Sequence, residues 1–164
     1  MLIKKISIAL LLMTTALTMQ ALTIGAQAAY RTDVGYPGLG MNYRLNLGTH
    51  IRLQATTNYY FKNSDGVHRL DVGLDAHWTF SAGKHLDIYP VVGYVLRDWF
   101  SKERYTIGTE EYTEKNIDWD SGPTVGAGID YNFNYHWLIN AEVKRQLISG
   151  AQEMTFSVGA FYRF

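Results

Sequence analysis

The chain has 164 residues, of which 47% are hydrophobic, 18% charged and 14% aromatic, with 15 Gly, 3 Pro, no Cys and a formal net charge of zero. That length makes one domain, and 15 basic against 15 acidic residues leave no basic footprint for nucleic acid. Without cysteine there is no disulfide framework, thiolate metal site or lipid-bearing cysteine, and a charged fraction below the roughly 25% of soluble domains argues against a disordered or solubility-driven chain.

Residues 1–28 read as a secretory signal peptide. Lys4 and Lys5 make the positive end, Ile6 to about Met19 the apolar stretch, and Ala26-Gln27-Ala28 the small-x-small cleavage site. The competing reading is a transmembrane helix running from Ile6 to Ala26. Cleavage after Ala28 removes two lysines and no carboxylate, so the mature domain, 29–164, carries a slight negative charge.

Beyond residue 28 no apolar run approaches the roughly 20 residues of a spanning helix. Strict alternation takes its place. A short first strand is expected over Ala29–Tyr36, with Val34 and Tyr36 set against Asp33 and Gly35, ending in the turn Pro37-Gly38. Next, Leu39, Met41, Tyr43 and Leu45 oppose Gly40, Asn42 and Arg44, and Ile51, Leu53, Ala55, Tyr59 and Phe61 oppose Arg52, Gln54, Thr56, Asn58 and Tyr60. From Arg69 to Phe80, Leu70, Val72, Leu74, Ala76, Trp78 and Phe80 face away from Arg69, Asp71, Gly73, Asp75 and His77. The segments 85–97, 119–133, 136–148 and 153–164 repeat the pattern.

The connections alternate too. Asn46–Thr49, Ser81–Lys84 and Asn134–Tyr135 are tight, whereas Lys62–Val67 and Asp98–Asp118 are longer and polar. Short turns on one side and long loops on the other are the layout of an outer-membrane barrel, with the long loops outside. The expected fold is an all-β, antiparallel up-and-down transmembrane barrel of about eight strands. A secreted soluble sandwich or barrel also alternates, with its apolar face inward. Three features favour the membrane reading: glycines on the polar face (Gly73, Gly93, Gly122, Gly126, Gly128, Gly159), aromatics gathered at strand ends (Trp78, Phe80, Phe133, Trp137, Tyr162 and Phe164 on one side; Tyr59, Phe61 and Trp119 on the other), and the ending Phe161-Tyr162-Arg163-Phe164.

A leader, about eight alternating strands and a last strand closing on aromatic-x-Phe resemble the small outer-membrane β-barrel proteins of Gram-negative bacteria. That group includes outer membrane protein X and the barrel domain of outer membrane protein A. The resemblance implies an outer-membrane location after export by the general secretory route, and a terminal strand whose Phe164 is read by the barrel assembly machinery.

An eight-strand lumen is only wide enough to be filled by side chains. Strand parity aims Arg44, Arg52, Arg69, Arg97, Lys144 and Arg163 inward, together with Asp71, Asp75, Asp87, Asp120, Asp130 and Glu142. Their near balance points to a cross-linked ionic plug, the alternative being a narrow ion path. Asp71, Asp75 and His77 share the inward face and raise the question of acid/base chemistry, but no Ser and His motif of a lipid-modifying enzyme accompanies them. His50, His68, His77, His85 and His136 lack metal-ligand spacing, and Gly126-Ala127-Gly128, although part of a dinucleotide fingerprint, lies within a strand with no helix after it. No cofactor is expected. Arg145 has outward parity near the extracellular end and is a candidate contact for lipopolysaccharide phosphate. The segment 98–118 alternates as Tyr105, Ile107 and Thr109 against Thr106, Gly108 and Glu110, so a hairpin turning near Gly108 would expose edges to an extracellular partner. The function read from these features is that of a monomeric, non-enzymatic barrel with a structural or surface-interaction role.

Overall fold

The computed structural model describes residues 22–32, 35–61, 68–107, 110–148 and 151–164. Nine strand segments run in chain order: β1 (Leu22–Arg31), β2 (Tyr36–Asn46), β3 (Ile51–Tyr60), β4 (His68–Trp78), β5 (Phe80–Ser81), β6 (Leu86–Ile107), β7 (Glu110–Asn132), β8 (Trp137–Ile148) and β9 (Ala151–Arg163). All neighbours pair antiparallel, β1 with β9 and β4 with β6, which closes the sheet into an up-and-down barrel. β4 and β5 form one wall strand interrupted at Thr79, so the wall counts eight.

The interruption has a local cause. His77 pairs with Val91 and Phe80 with Ile88, so the same register sets Trp78 against Pro90. A proline has no N–H to give, and the ladder drops that rung while keeping its register. Pro123 acts similarly on β7, where pairing with β8 begins only at Thr124, the next residue.

Alternation decides which way each side chain points. In β3 the burial runs strictly alternate, with Arg52, Gln54, Thr56, Asn58 and Tyr60 buried and the residues between them turned outward. Leu39, Leu74, Val92, Val158 and Phe164 are more than half exposed on the outside, while Arg31, Arg44, Arg97 and Asp130 are at most 1% exposed inside. A soluble barrel would have these faces exchanged; this wall presents its apolar face to hydrocarbon.

Two expectations are corrected. The first strand is not Ala29–Tyr36 but Leu22–Arg31, paired with β2 through Leu22↔Leu45 to Arg31↔Tyr36 and with β9 through Thr23↔Arg163 to Arg31↔Thr155. The residues 22–28, read from the sequence as the end of a leader, are therefore part of the seam strand. Secondly, most of 98–118 is ladder, as its alternation suggests, rather than the loop its polar composition suggests. β6 and β7 stay paired up to Ile107↔Glu110, and the turn expected near Gly108 lies outside the described residues. Among the described residues β4 pairs with β6 no further than Phe100, and nothing pairs with β7 above Thr124 on its β8 side. A two-stranded ribbon thus stands above the rest of the wall.

Three hairpin turns at the periplasmic rim share one device. His50, His85 and His136 each immediately precede a rising strand. Each carbonyl accepts a backbone N–H from the neighbouring falling strand, that of Thr79 at the break between β4 and β5 and those of Asn132 and Arg163 at the ends of β7 and β9, at 2.7 Å. Each ring Nδ1 lies 2.9–3.1 Å from the carbonyl oxygen of that same residue, and so carries the proton it donates. The rings pack on girdle aromatics, His50 flat against Trp78 and His136 against Tyr162. Replacing any one of them with Ala is expected to destabilise the refolded barrel by up to about 1 kcal/mol. Urea unfolding in detergent, followed by the heat-dependent shift in gel mobility, measures it.

Candidate functional site

The interior is one polar column threaded by three charge clusters. Nearest the periplasm, Asp130 on β7 receives Arg44 Nη1 from β2 at 3.2 Å to both carboxylate oxygens, and Arg52 Nη1 from β3 at 2.5 Å. Asn140 Nδ2 on β8 adds a third donor at 2.9 Å. The two guanidinium groups are also held by rings: Arg44 lies 3.7 Å over Phe161 and Arg52 4.4 Å over Tyr89. Arg52 Nε donates to His77 Nδ1 at 3.1 Å, which leaves the imidazole proton on Nε2. That nitrogen faces Glu142 at 3.9 Å, while the ring stacks on Tyr89, whose hydroxyl donates to Glu142 at 3.2 Å.

Two interior aromatics need room, and glycine supplies it. A Cβ on Gly25 would fall 2.2 Å from the Phe161 ring, and one on Gly128 would fall 2.5 Å from Tyr89. Any side chain at either place displaces the ring under an arginine.

At mid-height, Lys144 Nζ bridges Asp75 at 2.8 Å and Glu142 at 3.1 Å, and Thr124 donates to Asp75 at 3.3 Å. Above it, Arg97 reaches Asp71 at 3.2 Å and Glu153 at 2.6 Å, and Arg31 reaches Asp71 at 3.4 Å and also bonds Glu153. A neutral chain runs beside the ions: Asn42 Nδ2 donates to Gln27, Gln27 Nε2 to Asn58 and Thr56 Oγ1 to Asn42, each at 2.7 Å.

The charges nearly balance. Among the described residues the buried cations on the lumen phase are Arg31, Arg44, Arg52, Arg69, Arg97 and Lys144, and the buried anions on that phase are Asp71, Asp75, Asp130, Glu142 and Glu153; Asp98 is also buried, but on the outward phase of β6 that it shares with Leu96. Between Asp71, Asp75, Thr124, Lys144 and Thr155 lies a luminal cavity of about 20 Å³, room for about one water.

Of the residues aimed inward by parity, Arg44, Arg52, Asp71, Asp75, Arg97, Asp130, Glu142 and Lys144 are brought together in this column, and Arg69 is buried at its upper end. Three are placed elsewhere. Asp87 accepts from Ser81 and Asn132 at the periplasmic rim, Arg163 donates to Asn132 there, and Asp120 caps the backbone N–H of Ser121. The sequence reading passed over Arg31 and Glu153, although strand parity puts both inside. Asp71, Asp75 and His77 do not converge on one point: their partners are Arg31 and Arg97, Lys144, and Arg52 respectively.

On the outside, Arg145 is exposed in the wall, set between Val125 of β7 and Met154 of β9. At the opposite end the girdle is dense, with Trp137 and Phe164 each packing edge-on to Tyr162, and Tyr131 to Phe133. Phe61 and Tyr59 mark the upper boundary. The side chain of Trp119 lies outside the described residues.

A sequence profile of the outer membrane protein β-barrel domain matches residues 13–164. The chain belongs to that family. It is an outer-membrane β-barrel protein of the Gram-negative cell envelope. Among solved structures it is similar to the N-terminal β-barrel domain of Pseudomonas aeruginosa OprF, at 19% identity and a TM-score of 0.66, over 87% of this chain and 97% of that one. It is similar to Ail, the attachment invasion locus protein of Yersinia pestis, at 15% identity and a TM-score of 0.59, over 88% and 97%. The outer membrane enzyme PagL also aligns, at 10% identity and a TM-score of 0.55, over 87% and 99%. At these identities the shared property is the barrel. No curated protein sequence matches the chain.

Because the buried ions of this lumen are paired with one another, removing one partner is the informative change. Asp130→Asn leaves Arg44 and Arg52 buried around a neutral group and is expected to destabilise this family member by about 3–5 kcal/mol. Denaturant-induced unfolding in detergent micelles measures the loss.

Proposed function

We propose that this protein is a plugged, non-enzymatic surface barrel that works as a monomer through its extracellular side, with the luminal ions serving as structure. The observation that carries the reading is the nearly charge-balanced interior of paired ions, whose mid-height cavity has room for about one water. A diffusive pore needs about 16 strands and a water-filled bore. The absence of a shared focus for Asp71, Asp75 and His77 supports a structural role for them.

The surface role rests on the β6–β7 ribbon. Its β7 edge runs unpaired on the β8 side over Glu110–Pro123 among the described residues, and an unpaired edge can take up an extended segment of a partner by backbone hydrogen bonding. The segment also carries Lys102, Glu103, Arg104, Glu110, Glu111, Glu114 and Lys115, which give it a mixed-charge surface suited to contact in water. Ail, a structural relative named for attachment and invasion, has been solved in complex with the heparin analogue sucrose octasulfate; a host-surface role for the present ribbon is consistent with that company. Arg145 holds lipopolysaccharide phosphate where the wall meets the outer leaflet, a depth at which an outward cation costs roughly 0–1 kcal/mol. Phe164 is the terminal group read by the barrel assembly machinery.

In planar bilayers the purified protein is expected to give no steady conductance, and a sustained ohmic step would replace the plug by a channel. Lipid A from cells making the protein should keep its mass; a lost or gained acyl chain would make it an enzyme, as PagL is. Shortening the ribbon by removing 101–116 should leave heat-modifiable mobility intact and abolish adhesion to host cells or matrix. Arg145→Ala should weaken lipopolysaccharide retention by the purified barrel without altering its unfolding midpoint.

A further inference from the structure

The tripeptide that best satisfies the small-x-small cleavage pattern, Ala26-Gln27-Ala28, sits in the middle of the seam strand. Ala26 pairs with Met41 on one side and Ala160 on the other, Gln27 with Gly40 and Gly159, and Ala28 with Leu39 and Val158. Gln27 is 5% exposed and joins Asn42 to Asn58 inside the lumen, and Thr23 beside the lower rim is 2% exposed. Loss of 22–28 would leave only Ala29–Arg31 between β2 and β9. Two strand edges would then face hydrocarbon with no water to satisfy their N–H and C=O groups, each unsatisfied group costing several kcal/mol.

Two comparisons point the same way. The family profile begins its match at residue 13, upstream of the tripeptide. The solved barrels cover 87% or 88% of the chain, more than Ala29–Phe164 alone can supply.

We propose that the leader is hydrolysed N-terminal to Leu22, at Ala16–Leu17 or Ala21–Leu22, so that the mature protein keeps all of β1 and the bond after Ala28 stays intact. Both bonds have alanine on their acyl side, and Thr14 completes a small-x-small pattern at the first. Either leader retains the Lys4-Lys5 end and the eight-residue apolar stretch Ile6–Met13, within the roughly 7–15 residues such a stretch needs. Water adds across the peptide bond, leaving a carboxylate on the leader and a free amine on the mature chain, and β1 begins at Leu22, whose carbonyl accepts the Phe164 N–H at 3.1 Å. The inference rests on export by a cleaved leader.

Intact-mass measurement of the protein from the outer-membrane fraction tests it. A chain beginning at Leu17 or Leu22 is the expected result. A chain beginning at Ala29 overturns the proposal while leaving the leader in place, and a chain retaining residue 1 overturns both. Ala28→Leu gives a second arm. The position faces lipid, where leucine is welcome, but leucine beside the bond would block cleavage there. Unchanged processing and outer-membrane yield are expected. Accumulation of full-length precursor in this variant alone would show that the bond after Ala28 is the one cut.

Discussion

The seam between β1 and β9 is the constraint on which the rest of the molecule depends. A sheet in hydrocarbon cannot keep an open edge, because no solvent is there to satisfy its backbone groups. The first and last wall strands must therefore find each other, and they do so over Thr23–Arg31 and Thr155–Arg163. Closure then gives the alternation of side chains its meaning. Without a closed wall there is a polar face and an apolar face; with one there is an inside and an outside.

Once the inside exists, its chemistry is severely limited. Charges taken out of water are tolerable only when paired and further hydrogen bonded. The lumen meets this with Asp130 between two arginines, Lys144 between two carboxylates, and Asp71 and Glu153 shared by Arg31 and Arg97. Aromatic rings on Phe161 and Tyr89 support the lower guanidinium groups from the faces that carboxylates leave free. The space for those rings comes from glycine on adjacent strands. A single substitution in this column thus touches ions, rings and backbone together.

Much of this was legible in the sequence, because a period of two is hard to hide. Parity alone aimed Arg44, Arg52, Asp75, Asp130, Glu142 and Lys144 inward, and the structure places them there. Parity cannot tell which charges meet, since that depends on stagger between strands; Asp87, Asp120 and Arg163 share the inward phase but end at the rims or in local caps. The first strand was misplaced for a compositional reason. Its outward residues include Ala26 and Ala28, too small to announce a lipid-facing stripe, and the same alanines fit the small-x-small pattern of a cleavage site. In the 98–118 segment the polar composition suggested a loop, and only the alternation around Gly108 hinted at the ladder that is present. The rim histidines looked unrelated because their common feature is a position in the hairpin, not a spacing in sequence.

The ion pairs of the lumen also bear on the order in which the molecule assembles. Arg31 and Glu153 stand 122 residues apart, and Arg44 and Asp130 are 86 apart. Each hairpin forms from neighbours in sequence, but these pairs exist only after both ends of the chain have met. Such long-range contacts make folding slow. Interactions that form after the transition state chiefly retard unfolding, so the lumen acts as a latch: it contributes little to the speed of insertion and much to the lifetime of the inserted wall.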